Sequence, residues 1–120
     1  MKTEISMCEE KSEEICKQAE EVCKRAVVKF GETKQWDMAI EEFAELTKCL
    51  VKYRRYDKNR VWRQKTLEEV CDCYIMLRQI QLMLGTTTEE MHRLMTYKIK
   101  NLEALMVKDD PERGLNKAKK

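Results

Sequence analysis

The chain has 120 residues, 42% hydrophobic and 38% charged, with a formal net charge of +2. That is enough for one soluble, folded domain with a real core, and the spread of lysines and arginines among acids argues against a nucleic-acid partner, which calls for a basic stripe. Neither a signal peptide nor a membrane-spanning run is read here, because residues 2–14 are mostly polar and the segment around Ile75 is broken by Arg78 and Gln79, so the expected location is the cytoplasm.

Three glycines and one proline leave little material for turns, which favours a few long helices over many strands. Of the six cysteines, Cys71 and Cys73 face different ways on a helix and no second paired motif exists for zinc. Cys8, Cys16, Cys23, Cys49, Cys71 and Cys73 therefore read as small buried hydrophobes of a reducing compartment.

The first helix is expected from Ser6 or Lys11 to Phe30, with Cys8, Ile15, Ala19, Val22, Ala26 and Phe30 as its apolar stripe and Gly31 as its stop. Thr33 is the candidate N-cap of the second helix. There Trp36, Ala39, Ile40, Phe43, Leu46, Thr47 and Leu50 share one face, while Lys34, Asp37, Glu41, Lys48 and Lys52 lie opposite and read as solvated. Glu42 and Glu45 fall between the two faces, beside Met38 and Cys49.

A polar connector at Asp57–Arg60 has the length of a helical hairpin turn. The third helix, about Trp62–Leu84, shows a broad apolar face of Leu67, Val70, Cys73, Tyr74, Leu77, Ile80 and Leu84, as expected of a central helix or an oligomer interface. Glu69 and Asp72 point into one narrow sector that Met76, Gln79 and Met83 continue. Gly85 ends this helix, and Thr86 or Thr87 caps a fourth, about Thr88–Val107, whose stripe is Met91, Leu94, Met95, Ile99, Leu102, Leu105 and Met106. Residues 109–120 read as a frayed tail. The expected fold is all-α, an antiparallel four-helix bundle over residues 1–108.

Glu42–Glu45 and Glu69–Asp72 share i,i+3 spacing, which places each pair on one helix face. If the two helices are antiparallel neighbours, four carboxylates converge. Without a cation they would repel one another and raise each other's pKa. Hard oxygen donors suit Mg²⁺ or Mn²⁺, ions that keep waters and share their shell with phosphates. Such a site neutralises phosphate charge and lowers the pKa of an attacking water. Surface acidic pairs are the plain alternative, since they are common on charged helices.

The run Glu41-Glu42-Phe43-Ala44-Glu45-Leu46, followed by Glu68-Glu69-Val70-Cys71-Asp72, resembles the EExxE…ExxD signature of the MazG-like all-α nucleoside triphosphate pyrophosphohydrolases. The resemblance covers about residues 30–106, and Gln35 fits its smaller members. It implies a MazG-like bundle that pairs as a homodimer or a dimer of dimers. The implied reaction is Mg²⁺-dependent cleavage of a nucleoside triphosphate to its monophosphate and pyrophosphate. By position it implies Glu42, Glu45, Glu69 and Asp72 as metal ligands, Glu41 as the residue that orients water, and Lys98 as a phosphate contact. Arg54, Arg55, Lys58, Arg60 and Arg63 are further candidates for the phosphates, and Trp36 and Trp62 for stacking on a base. Two rivals are a di-iron carboxylate bundle, for which Glu89 and His92 supply only one of two required ExxH motifs, and a helical interaction or nucleotide-binding regulatory module without turnover.

Overall fold

The computed structural model describes residues 4–108, with side chains described from residue 9. All of the regular structure there is helical: α1 Glu4–Phe30, α2 Glu32–Arg55, α3 Arg60–Leu84 and α4 Thr88–Lys108. The chain divides into one compact unit, Met1–Gly85, and a second, Thr86–Lys120. The expected frayed tail lies outside the described residues.

Within the first unit, α2 and α3 form the principal pair and α1 packs on both. The hairpin register can be read from three cross-links. Gln35 Nε2 donates to Gln79 Oε1 at 2.5 Å, and the Cys73 thiol donates to the Glu42 carbonyl at 3.4 Å. Thr66, whose hydroxyl donates to the Trp62 carbonyl, lies 3.4 Å from the carbonyl of Cys49. Positions 35, 42 and 49 ascend as 79, 73 and 66 descend, so the helices run antiparallel and meet about every seven residues. That is the repeat of a coiled-coil seam.

The seam is built mainly from small and polar residues, and of the expected apolar stripes it keeps Ala39 and Cys73. Gln35, Ala39 and Cys49 are buried on α2, and Cys73, Met76 and Gln79 on α3. Ile40, placed on the core face by periodicity, is 67% exposed, and Tyr74 is 69% exposed. Leu50, Leu67, Leu77 and Leu84 are also exposed. The core face of each helix is thus rotated away from its most apolar stripe. On α3 the buried sector runs from half-buried Glu69 through Cys73, Met76 and Gln79, with Asp72 exposed at its edge.

α1 docks through Cys23, whose thiol donates to the Ile75 carbonyl at 3.7 Å, and through a two-pronged ion pair in which Arg78 grips Glu20 with both Nε and Nη2. Arg78 also donates to Gln81 at 3.0 Å. Ile15, Val22 and Phe30, expected in the core, are exposed, and Ala19 and Ala26 are half-buried. Cys23, Cys49 and Cys73 are buried as expected of core thiols, whereas Cys16 and Cys71 are exposed. The side chain of Cys8 lies outside the described residues.

The turns follow local chemistry. Gly31 carries φ 85°, ψ 152°, a conformation open to glycine, and it stands as the N-cap of α2 in place of Thr33. Gly85 is left-handed at φ 66° and closes α3 through its N–H to the carbonyls of Gln81 and Leu82. Between α2 and α3, Asp57 and Lys58 both take positive φ, and Asn59 caps α3 by accepting from Trp62 N at 3.0 Å. Thr87 caps α4 by accepting from Glu90 N at 3.1 Å. No residue of α4 is buried; its expected packing stripe, from Leu94 to Met106, is exposed, and Met91 is half-buried. No described helix is long and apolar enough to cross a membrane.

The glutamine pair is a buried polar link whose halves satisfy each other. Gln79→Leu should destabilise the protein by about 1–3 kcal/mol, because Gln35 is left buried without its acceptor. The double variant Gln35→Leu, Gln79→Leu should recover most of that loss. Chemical denaturation of the four proteins of this cycle checks the coupling.

Candidate metal centre

Three carboxylates meet across the α2–α3 seam. Glu42, Glu69 and Asp72 each offer an oxygen, and these oxygens lie within 4.8 Å of one another. Helical geometry places them there: Glu69 and Asp72 are three residues apart on α3, and the Cys73 thiol pins the α2 backbone at Glu42 beside them. Glu42 and Glu69 are half-buried and Asp72 is exposed, so the cluster has one face toward the seam and one toward solvent.

The electrostatics are those of a site short of positive charge. Burial pushes the Glu42 carboxyl above the ordinary value of 4.5, and Asp72, Glu69 and Glu45 push it further, with a hydrogen bond to Glu69 in the same sense. Cys73 is raised by burial and by the same three carboxylates, Glu42, Glu69 and Asp72, and so stays a neutral thiol. Glu69 Oε2 is buried without a hydrogen-bond partner. A buried, unpartnered carboxylate oxygen is costly, and a cation among these oxygens would offset that cost. The donor set is all oxygen with Asp72 exposed, which fits a hard divalent cation and disfavours softer metals.

Glu45 stands one turn beyond Glu42, exposed, and adds its charge to the rise at Glu42. It lines an open cleft of about 460 Å³ that adjoins the cluster through Glu69. Three lysines face this cleft, Lys48 and Lys52 from α2 and Lys65 from α3, together with Glu68 and Trp62, over buried Cys49. Lys52 Nζ lies 5.0 Å and Lys65 Nζ 4.8 Å from the centroid of the Trp62 ring, and Tyr56 stacks against that ring at 6.1 Å.

Lys48 and Lys52, read from periodicity as solvated, therefore border the candidate site. The rotation of the α2 core face toward Gln35, Ala39 and Cys49 carries them with it. Their signal was present in the spacing: 45, 48 and 52 on α2 and 62, 65 and 69 on α3 are successive turns of two facing stripes. Arg54, Arg55, Lys58, Arg60 and Arg63 are exposed around the connector, and none lines the cleft. Glu41 is exposed, and Trp36 is half-buried in the first turns of α2. Lys98 is exposed on α4, in the second unit, as is His92. No protein-family model, curated protein or solved structure matches the chain.

The Glu42 shift has a definite sign in stability. A carboxyl whose folded pKa exceeds its unfolded value favours the fold below the unfolded pKa, and that contribution is lost as pH rises through the folded one. Glu20, held low first by its hydrogen bonds to Arg78, works the opposite way, and its contribution is lost as pH falls below the ordinary carboxylate range. The metal-free protein should thus gain stability from neutral pH down toward that range, then lose it. Glu42→Gln should remove the first limb and raise metal-free stability at pH 7 by on the order of 1 kcal/mol, the scale of one charge repulsion at this separation in a wet site. Thermal melts from pH 3 to about pH 8 read both limbs. Added Mn²⁺ should raise the wild-type melting point, by the equivalent of about 2.7 kcal/mol at a hundred times Kd, and leave Glu42→Gln nearly unmoved.

Proposed function

We propose that this protein is a Mg²⁺-dependent nucleoside triphosphate pyrophosphohydrolase that yields nucleoside monophosphate and pyrophosphate, with Mn²⁺ as an alternative ion. The observation that carries the reading is the meeting of Glu42, Glu69 and Asp72 with an orphaned buried oxygen on Glu69. The order and spacing of these acids, Glu41-Glu42-x-x-Glu45 on one helix and Glu69-x-x-Asp72 on the next, match the MazG-like signature and supply the choice of reaction. Glu42, Glu69 and Asp72 would hold the ion, with Glu45 completing the set from the next turn. When bound, the ion supplies charge for the oxygens around the α and β phosphates and lowers the pKa of nearby water.

The chain's own groups divide the remaining work. Water oxygen forms a bond to the α-phosphorus, the bridging bond from that phosphorus to the β-phosphate oxygen breaks, and pyrophosphate leaves with the electron pair. The proton released from water passes to a carboxylate; Glu41, exposed on α2, orients the water in this assignment. Cys73, neutral and engaged with the Glu42 carbonyl, holds the ligand geometry and takes no part in bond making.

The reading includes self-association in the cytoplasm, as a homodimer or a dimer of dimers. Val28 is 84% exposed, and Ile40, Tyr74 and Leu77 stand uncovered with it, more apolar surface than a monomer of this size comfortably leaves in water. Sedimentation equilibrium at micromolar concentration should give a dimer or tetramer, and a strictly monomeric protein would remove this part.

The reaction is tested by incubating the protein with Mg²⁺ and each ribo- and deoxyribonucleoside triphosphate and resolving the products by ion exchange. Monophosphate with intact pyrophosphate is expected. Diphosphate with orthophosphate would place cleavage at the wrong bond. Glu42→Gln and Asp72→Asn should each lower the rate by at least about a hundredfold, the scale of losing one electrostatic stabiliser of the transition state. An undiminished rate in Glu42→Gln would assign the activity to another centre.

A further inference from the structure

The lysine-lined cleft is not accounted for by the carboxylate cluster. We infer that Lys48, Lys52 and Lys65 form a clamp for the terminal phosphates of a polyphosphate chain, and that the clamp takes its ligand only when a divalent cation occupies the neighbouring carboxylates. The inference rests on the cation reading given under Proposed function and adds to it where the chain's far end lies and in what order the two ligands bind.

Position is the first argument. Glu69 belongs both to the cluster and to the cleft, so the two are continuous. Lys65 is one helical turn from Glu69, about 6 Å along α3, and Lys48 stands three residues beyond Glu45 on the facing helix. A phosphate chain whose one end meets the cluster would extend along this seam between lysines from both helices. The arginines of the connector have no such placement.

Charge is the second argument. The cleft presents three ammonium groups against Glu45, Glu68 and Glu69, so it is formally neutral and holds no surplus attraction for an anion. A divalent cation at Glu69 and Glu45 changes that balance by two charges and leaves the lysines free to face phosphate. The site therefore discriminates against phosphates that arrive before the metal.

Trp62 supplies the third argument, and its role differs from base stacking. Lys52, Lys65 and Tyr56 all contact the ring, so its faces are already used within the protein. Lys52 Nζ and Lys65 Nζ lie 5.0 and 4.8 Å from the ring centroid, so one aromatic ring attracts an ammonium group from each helix. Trp62 is a positioning residue: it anchors Lys52 of α2 and Lys65 of α3 at the cleft that both line.

The test uses the full-length protein and calorimetry, with Mn²⁺ alone, inorganic tripolyphosphate, and a nucleoside triphosphate as probes. Wild-type protein should bind tripolyphosphate in saturating Mn²⁺ and bind it at least about tenfold more weakly without the ion. Lys52→Met and Lys65→Met should each weaken binding of both phosphate probes by about tenfold while leaving Mn²⁺ affinity within about twofold. Trp62→Leu should behave like a lysine variant and Trp62→Phe should retain most of the affinity; melting curves confirm that each variant folds. Unchanged tripolyphosphate affinity in Lys52→Met, Lys65→Met overturns the clamp, and so does equally tight binding without metal. A loss confined to the nucleoside triphosphate would assign the lysines to base or sugar and overturn it too. Failure of Mn²⁺ to bind the wild type would instead strike the cation reading itself.

Discussion

Carboxylates held within 4.8 Å of one another on a half-buried seam are the constraint to which the rest of the molecule answers. Left to itself, the α2–α3 pair would separate here, because like charges at this distance repel and Glu69 keeps an oxygen buried without a partner. The seam counters this with directional contacts: the Gln35–Gln79 hydrogen bond between side-chain amides two turns away and the Cys73 thiol against the Glu42 carbonyl beside the acids. Ala39, Cys49 and Cys73 supply the small side chains that let the helices come close enough for such contacts. The repulsion is confined within this seam, and a cation among the oxygens would offset it.

Much of this was legible before any coordinates. The four helices, the stop at Gly85, the cap at Thr87 and the hairpin turn all followed from glycine placement, cap residues and 3.6-residue spacing. Of the four carboxylates expected to converge from i,i+3 spacing on antiparallel neighbours, Glu42, Glu69 and Asp72 meet. Hydrophobicity misled on which face is buried. Counting apolar residues places Ala39 and Cys73 in the core, where they lie, but also selects Ile40, Leu50, Tyr74 and Leu77, which are exposed, and leaves out Gln35, Met76 and Gln79, which are buried. Periodicity reports which side of a helix avoids water, and says nothing about whether a neighbour in the same chain or a surface elsewhere will cover it. Once the core is rotated by one stripe, lysines assigned to solvent come to face the site.

The same rotation separates two kinds of stabilisation. Within the first unit, specificity comes from hydrogen bonds and an ion pair, with only five hydrophobic side chains buried among the described residues. The Glu20–Arg78 grip adds a charged contact between α1 and α3 that is a third exposed at each end and so contributes modestly. Many aliphatic residues of the kind that ordinarily supply most of the folding free energy are exposed, on α1, α2, α3 and α4 alike, while Val27, Leu46, Val70, Ile80 and Leu82 are half-buried. A chain built this way is well determined in register before it is strongly stabilised.

That register is set by contacts near positions 35, 42 and 49 of α2, not by the turn that joins the helices. The turn itself is an uneasy one, with two non-glycine residues at positive φ, Asp57 and Lys58. It is tolerated because the ends it connects are already fixed. The connector is therefore free to change length: doubling a flexible loop adds only about 0.6 kcal/mol of closure entropy. The number of residues between the two halves of the acidic motif can drift while the carboxylates keep their places, so a recogniser of this site must score the spacing inside each half strictly and the gap between them loosely.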